Sequence, residues 1–79
     1  MATLLIEPKS LNQIRNHPEE FSNNTIDLFK SAIREADILD NNYVVSVDLA
    51  TNDESDYSCY TTMKYKNGVF RNVGVTLVK

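Results

Sequence analysis

Acidic residues are missing from the last part of this chain. All eleven Asp and Glu precede Tyr57, and residues 57–79 carry Lys64, Lys66, Arg71 and Lys79 with no acid among them. A cationic segment therefore follows an acidic one within a net charge of −3, a division that bears on partners and not on fold. Glycine and proline are scarce: Gly68 and Gly74, Pro8 and Pro18. A chain so poor in breakers is expected to spend most of its length in regular elements. Cys59 is the one cysteine, which excludes an intramolecular disulfide and a thiolate-rich zinc site. A lone thiol fits a reducing compartment. The stretch Met1–Pro8 has no basic start and too short an apolar run for a signal peptide. Both features lead to the expectation of a cytoplasmic protein. No run approaches the ~18 apolar residues of a membrane span, so no membrane partner is expected.

Catalytic signatures are also missing. There is no phosphate-cradling glycine motif, no metalloprotease motif and no nucleophile elbow. His17 is the only histidine, and its neighbour Pro18 suits the first position of a helix, which makes His17 a surface or capping residue. Cys59 reads as a small hydrophobe within a strand. Asp53-Glu54-Ser55-Asp56 resembles half of a cation loop but lacks the central glycine and distal glutamate of an EF-hand. The expectation is a non-enzymatic protein with no cofactor and no metal.

What is present fits one domain, residues 1–79. A chain of this size buries only ~60% of the surface its unfolded form exposes, so its core is thin. Thr3–Glu7 is a short strand candidate stopped by Pro8. Ser10 and Gln13 match a capping box ahead of a helical turn over 11–16. The main helix is marked by Ile26, Phe29, Ile33 and Ala36, with Leu28, Ala32 and Leu39 widening the stripe. Asn24 is its expected cap, and it should end near Leu39. Tyr43–Ala50 alternates, with Tyr43, Val45, Val47 and Leu49 on one side, as a half-buried strand does. Residues 51–56 form an acidic exposed loop.

Residues 57–79 read as a hairpin. A two-residue loop at Asn67-Gly68 would set Lys64 against Arg71. A three-residue loop, Lys66-Asn67-Gly68, gathers Tyr57, Cys59, Thr61, Met63, Tyr65, Val69, Val73, Val75 and Leu77 on one face, with Arg71 as its one charged member. Register follows the hydrophobic pattern, so the three-residue loop is expected, with the odd-numbered face turned toward the helix. The fold class that results is α+β in two layers: one amphipathic helix on a small antiparallel sheet, in the order β-α-β-β-β.

With that orientation Tyr60, Lys64 and Phe70 share an exposed face. They form one candidate partner-binding group, and Asp53, Glu54 and Asp56 form another. The expected partner is a protein with a basic surface. Small acidic α+β proteins without catalytic motifs include inhibitors encoded by phages and mobile elements, anti-CRISPR proteins among them; the likeness is of size and charge alone. Blocking a basic, nucleic-acid-handling partner is the leading expectation. The first alternative is weak single-stranded nucleic-acid binding through Tyr60, Lys64, Phe70 and Arg71, against which the net negative charge counts. The second is self-association into a homodimer through Val44, Phe70 and Val78 or through an edge strand.

Overall fold

A computed structural model describes residues 1–79. The chain forms β1 (Thr3–Leu5), α1 (Pro8–Asn16), a single 3-10 turn (Pro18–Glu20), α2 (Asn23–Ile38), β2 (Tyr43–Asp48), β3 (Ser58–Lys66) and β4 (Val69–Val78). The strands lie in the order β1-β2-β3-β4, and α2 packs across one face. The α+β class holds. The sheet is mixed, however, and not purely antiparallel. β1 runs parallel to β2, with Thr3 beside Val44 and Leu5 beside Ser46. The cause is the connection: a helical crossover between adjacent strands returns the chain in the same direction.

Pro8 does not merely end β1; it opens α1 at a position where its missing N–H is not needed. Glu7 is the extended cap residue, and its carbonyl accepts from the Leu11 N–H at 3.0 Å. Ser10 therefore lies inside the helix and the expected capping box does not form. The cap of α2 is Ser22, whose Oγ accepts from the Thr25 N–H at 3.1 Å. Asn24, expected there, instead donates from Nδ2 to the Lys79 carbonyl at 3.3 Å and ties the helix start to the chain end.

The buried line of α2 is Thr25, Leu28, Ala32 and Ala36. Ile26, Phe29 and Leu39 flank it, and Ile33 is 39% exposed at its rim. The expected stripe is thus rotated toward the alanines. With only methyl groups at Ala32 and Ala36, the helix backbone sits close over the sheet, and larger side chains fill the margins. Beneath lie Val45, Val47 and Leu49 of β2 and its extension, with Ala2, Ile14 and Phe21 closing the sides. The N–H of Ala2 donates to the Ala36 carbonyl at 2.8 Å, pinning the N-terminus to α2.

The hairpin turns through two residues. Asn67 and Gly68 both have positive φ, 54° and 77°, the combination that matches the twist of paired strands. Lys64 does face Arg71, the juxtaposition that argued against this loop. The Lys64 ammonium lies over the Tyr43 ring, 5.7 Å from its centroid, a cation–π contact that offsets part of the cost of the juxtaposition. A bulge then changes the register between Thr62 and Met63. Val73 is the extra residue, and the Gly74 N–H closes on Asn72 Oδ1 at 3.0 Å. Beyond the bulge Thr61 faces Val75 and Cys59 faces Leu77.

The odd-numbered residues of β3, and those of β4 beyond the bulge, point away from α2, the reverse of the sequence expectation; between the turn and the bulge Phe70 and Asn72 share that outer face and Val69 and Arg71 lie on the helix side. Paired strands share faces. The inward residues Val45 and Val47 of β2 pair with Thr62 and Tyr60, so the even-numbered side of β3 must lie under the helix. Burying hydroxyls there is tolerated because they are satisfied. Ser58, 1% exposed, lies 2.9 Å from Thr25 Oγ1 through its Oγ and accepts from the buried Ala50 N–H at 2.8 Å. No buried side-chain polar atom lacks a partner.

Ser58→Ala strips the Ala50 N–H of its acceptor. It is expected to cost about 1–3 kcal/mol and, at ~4–8 °C per kcal/mol for a chain of this length, to lower the thermal midpoint visibly by circular dichroism. Gly74→Ala is expected to act oppositely, by up to about 1 kcal/mol, because an added Cβ meets nothing within 4 Å. An unchanged midpoint for Ser58→Ala would show that the hydroxyl node is dispensable.

Candidate interaction surfaces

The face of the sheet opposite α2 has no covering layer. By alternation and pairing it presents Thr3 and Leu5 from β1, Val44, Ser46 and Asp48 from β2, Cys59, Thr61, Met63 and Tyr65 from β3, and Phe70, Asn72, Val75 and Leu77 from β4, with Val73 at the bulge. Asp48 is its only charge. Val75 and Leu77 are 55% and 58% exposed. At one end Tyr65 and Phe70 stack with centroids 4.9 Å apart, tilted by 57°. A solvated sheet face normally carries polar side chains; here Thr3, Ser46, Asp48, Thr61 and Asn72 are interspersed with exposed apolar residues, which are densest on β3 and β4.

The hairpin tip has two unlike sides. β3 continues past Tyr43, the first residue of β2, so Lys66 and Val69 overhang the sheet. Lys64, Lys66 and Arg71 line an open depression with Asn67 and Val69 on the helix side, and the aromatic pair occupies the reverse. The opposite end of β3 follows the acidic loop. There Asp53, Glu54 and Asp56 are exposed. Thr51 donates to Glu54 Oε1 from N at 3.3 Å and from Oγ1 at 3.1 Å. The Asn52 N–H donates to the Glu20 carbonyl at 2.8 Å, and Asn52 Nδ2 donates to that of Glu19 at 3.3 Å. The loop is thereby bound to the 3-10 turn, which adds Glu19 and Glu20 to the acidic end. At ~3.3 Å per residue, the nine residues of β3 hold the acidic and basic poles roughly 30 Å apart.

Of the expected site residues, Asp53, Glu54 and Asp56 are exposed together. Tyr60, Lys64 and Phe70 are not brought together. Tyr60 is half-buried against the core, Lys64 lies over Tyr43, and Phe70 is on the other face. The sequence pattern alone assigns Cys59, Met63, Tyr65, Val73, Val75 and Leu77 to the core, and the structure places them on the open face. The signal that locates them correctly is the pairing of β3 with the well-patterned β2.

Two reactive residue types bear on chemistry. His17, Glu19 and Glu20 each bring a potential ligand atom within 4.8 Å of the others, all on exposed side chains. His17 Nδ1 already contacts Glu19 Oε1 at 3.3 Å, and Glu20 Oε1 accepts from Gln13 Nε2 at 2.7 Å. The Cys59 thiol has its pKa raised, first by burial and second by the charge of Asp48; both disfavour the thiolate. No protein-family model matches the chain, and neither a curated protein nor a solved structure does.

Asp48→Asn removes the second of those influences. Iodoacetamide modification of Cys59 in dilute protein is expected to be slow near neutral pH and faster in the variant, with its pH midpoint moved down. An unmoved midpoint would remove Asp48 from the account.

Proposed function

We propose that this protein is a non-catalytic protein-binding module that works through the helix-free face of its sheet. The observation that carries the reading is that face: uncovered, with Asp48 as its single charge and with the exposed Tyr65, Phe70, Val73, Val75 and Leu77 gathered on its hairpin half. Contiguous apolar patches beyond a few hundred Å² are rare on monomeric proteins and mark interaction sites. Two features support the non-catalytic part of the reading. The thiol is biased toward its protonated form, and the one histidine is exposed beside Glu19. The acidic end supplies a second contact and orients a basic partner by long-range attraction. Inhibition of a basic, nucleic-acid-handling protein is the specific form of this reading in which that end makes the first contact. A reducing, cytoplasmic setting suits the free thiol.

A second reading, single-stranded nucleic-acid binding, has one observation in its favour. Lys64, Lys66 and Arg71 share one side of the hairpin tip, and none of them is paired with an acid. It is the weaker reading because the stacked rings of Tyr65 and Phe70 lie on the reverse side, so cations and stacking platform do not act on one strand.

Val75→Asp with Leu77→Asp is expected to reduce capture of a protein partner by at least ~10-fold, more than about 1.4 kcal/mol. Asp53→Asn with Glu54→Gln should reduce it less, and mainly at low salt. Affinity for a single-stranded oligonucleotide that falls steeply with salt and vanishes in Lys66→Ala with Arg71→Ala would favour the second reading. Equal capture by the open-face variant and the wild type would sink the first.

A further inference from the structure

We infer that the occupant of the open sheet face is a second copy of this chain, packed face to face and turned end for end. The inference rests on the protein-binding reading and names its partner. Three observations carry it. The first is area. At ~3.3 Å per residue and ~4.8 Å between strands, the four strands span roughly 450 Å² in projection. Protruding side chains add to that, which brings the face to the order of the ~800 Å² per partner that a stable complex buries. A second copy matches this extent by construction.

The second observation is charge. The face itself offers a partner no ionic code beyond Asp48. The charges that could orient an encounter lie at its two ends, and they are of opposite sign: Asp53, Glu54 and Asp56 before β3, and Lys64, Lys66 and Arg71 around its far end. A two-fold axis across the strands sets each acidic end over the end of the partner that carries the basic tip; the cations project from the helix side of that tip, so they orient the encounter by long-range attraction and make no ion pair across the contact. An axis along the strands would set like against like. An isologous contact needs this kind of self-complementarity, and a chain with one pole of each sign has it.

The third observation is the core. Only 13 of 79 residues are buried, all but three of them apolar, which leaves a fold of this size short of buried surface. Stacking two sheets at ~10 Å places Met63, Val75, Leu77 and Cys59 in a second, shared core between two outer helices. Edge pairing through β4 would leave the same face wet and so does not answer the observation.

The test uses the intact chain. Sedimentation across concentration is expected to show a monomer–dimer equilibrium, abolished by Val75→Asp with Leu77→Asp while far-ultraviolet circular dichroism is retained. Iodoacetamide modification of wild-type Cys59 should slow several-fold as protein concentration rises through that equilibrium. Raising salt from low to high should weaken the dimer, since opposite poles attract. A dimer that survives the double substitution, or one whose formation leaves Cys59 equally reactive, overturns the inference because it uses another surface. A dimer strengthened by salt overturns the end-for-end arrangement. A wild-type monomer at every concentration overturns self-association. The protein-binding reading would then stand only if the same face variant loses a different, purified partner, and would fall with it if no partner depends on that face.

Discussion

The position of one hydroxyl group organises this protein. Ser58 Oγ sits at the first residue of β3, where it meets Thr25 of α2 and the backbone of Ala50 just after β2. Three elements are joined at one buried atom. The contact settles a two-fold ambiguity, because a strand offers either of its faces to a helix and a one-residue slip exchanges them. Had β3 turned over, Ser58 would leave the interior and the Ala50 N–H would be buried without an acceptor, which is costly. A buried polar group that is satisfied in only one arrangement discriminates between arrangements more sharply than apolar contacts do.

That choice explains the distribution of surface properties. Small and polar residues, Ser58 and Thr62, lie under the alanine line of α2, so the helix approaches closely. The larger apolar residues of the hairpin are turned outward as a consequence. The sheet then has two unlike sides: one sealed by α2, and one without cover. Because acids cluster before β3 and cations lie at its far end, the charge of the hairpin region is resolved along the strand direction, with the cations on the helix side of the sheet. Apolar attraction and ionic orientation therefore act on perpendicular coordinates.

Local patterns in the chain conveyed much of this. The extent of α2, the alternation of β2 and the existence of the hairpin all follow from spacings within a few residues. Exposure of Asp53, Glu54 and Asp56 followed from a polar run that no interior strand tolerates. What was not legible depended on residues distant in sequence. The two-residue turn sets Lys64 against Arg71, and the contact that offsets this comes from Tyr43, on another strand. The direction of β3 follows from its pairing with Val45 and Val47 across the acidic loop. β1 is too short for its pattern to reveal a parallel neighbour. Tyr60 was misplaced because a tyrosine suits a half-buried site as well as a wet one, and its pairing with Val47 is what decides.

The tight turn at Asn67-Gly68 has a consequence for the order of assembly. β3 and β4 meet by closing a two-residue loop, on the microsecond scale of isolated hairpins. β1 and β2 meet only after the whole helical crossover has been gathered, at a larger entropic cost. The quickest pairing to form thus lies in a part of the chain synthesised after α2 and β2. While β4 is still inside the exit tunnel, the sheet has no fast local pairing from which to grow, and α2 has only an incomplete platform beneath it.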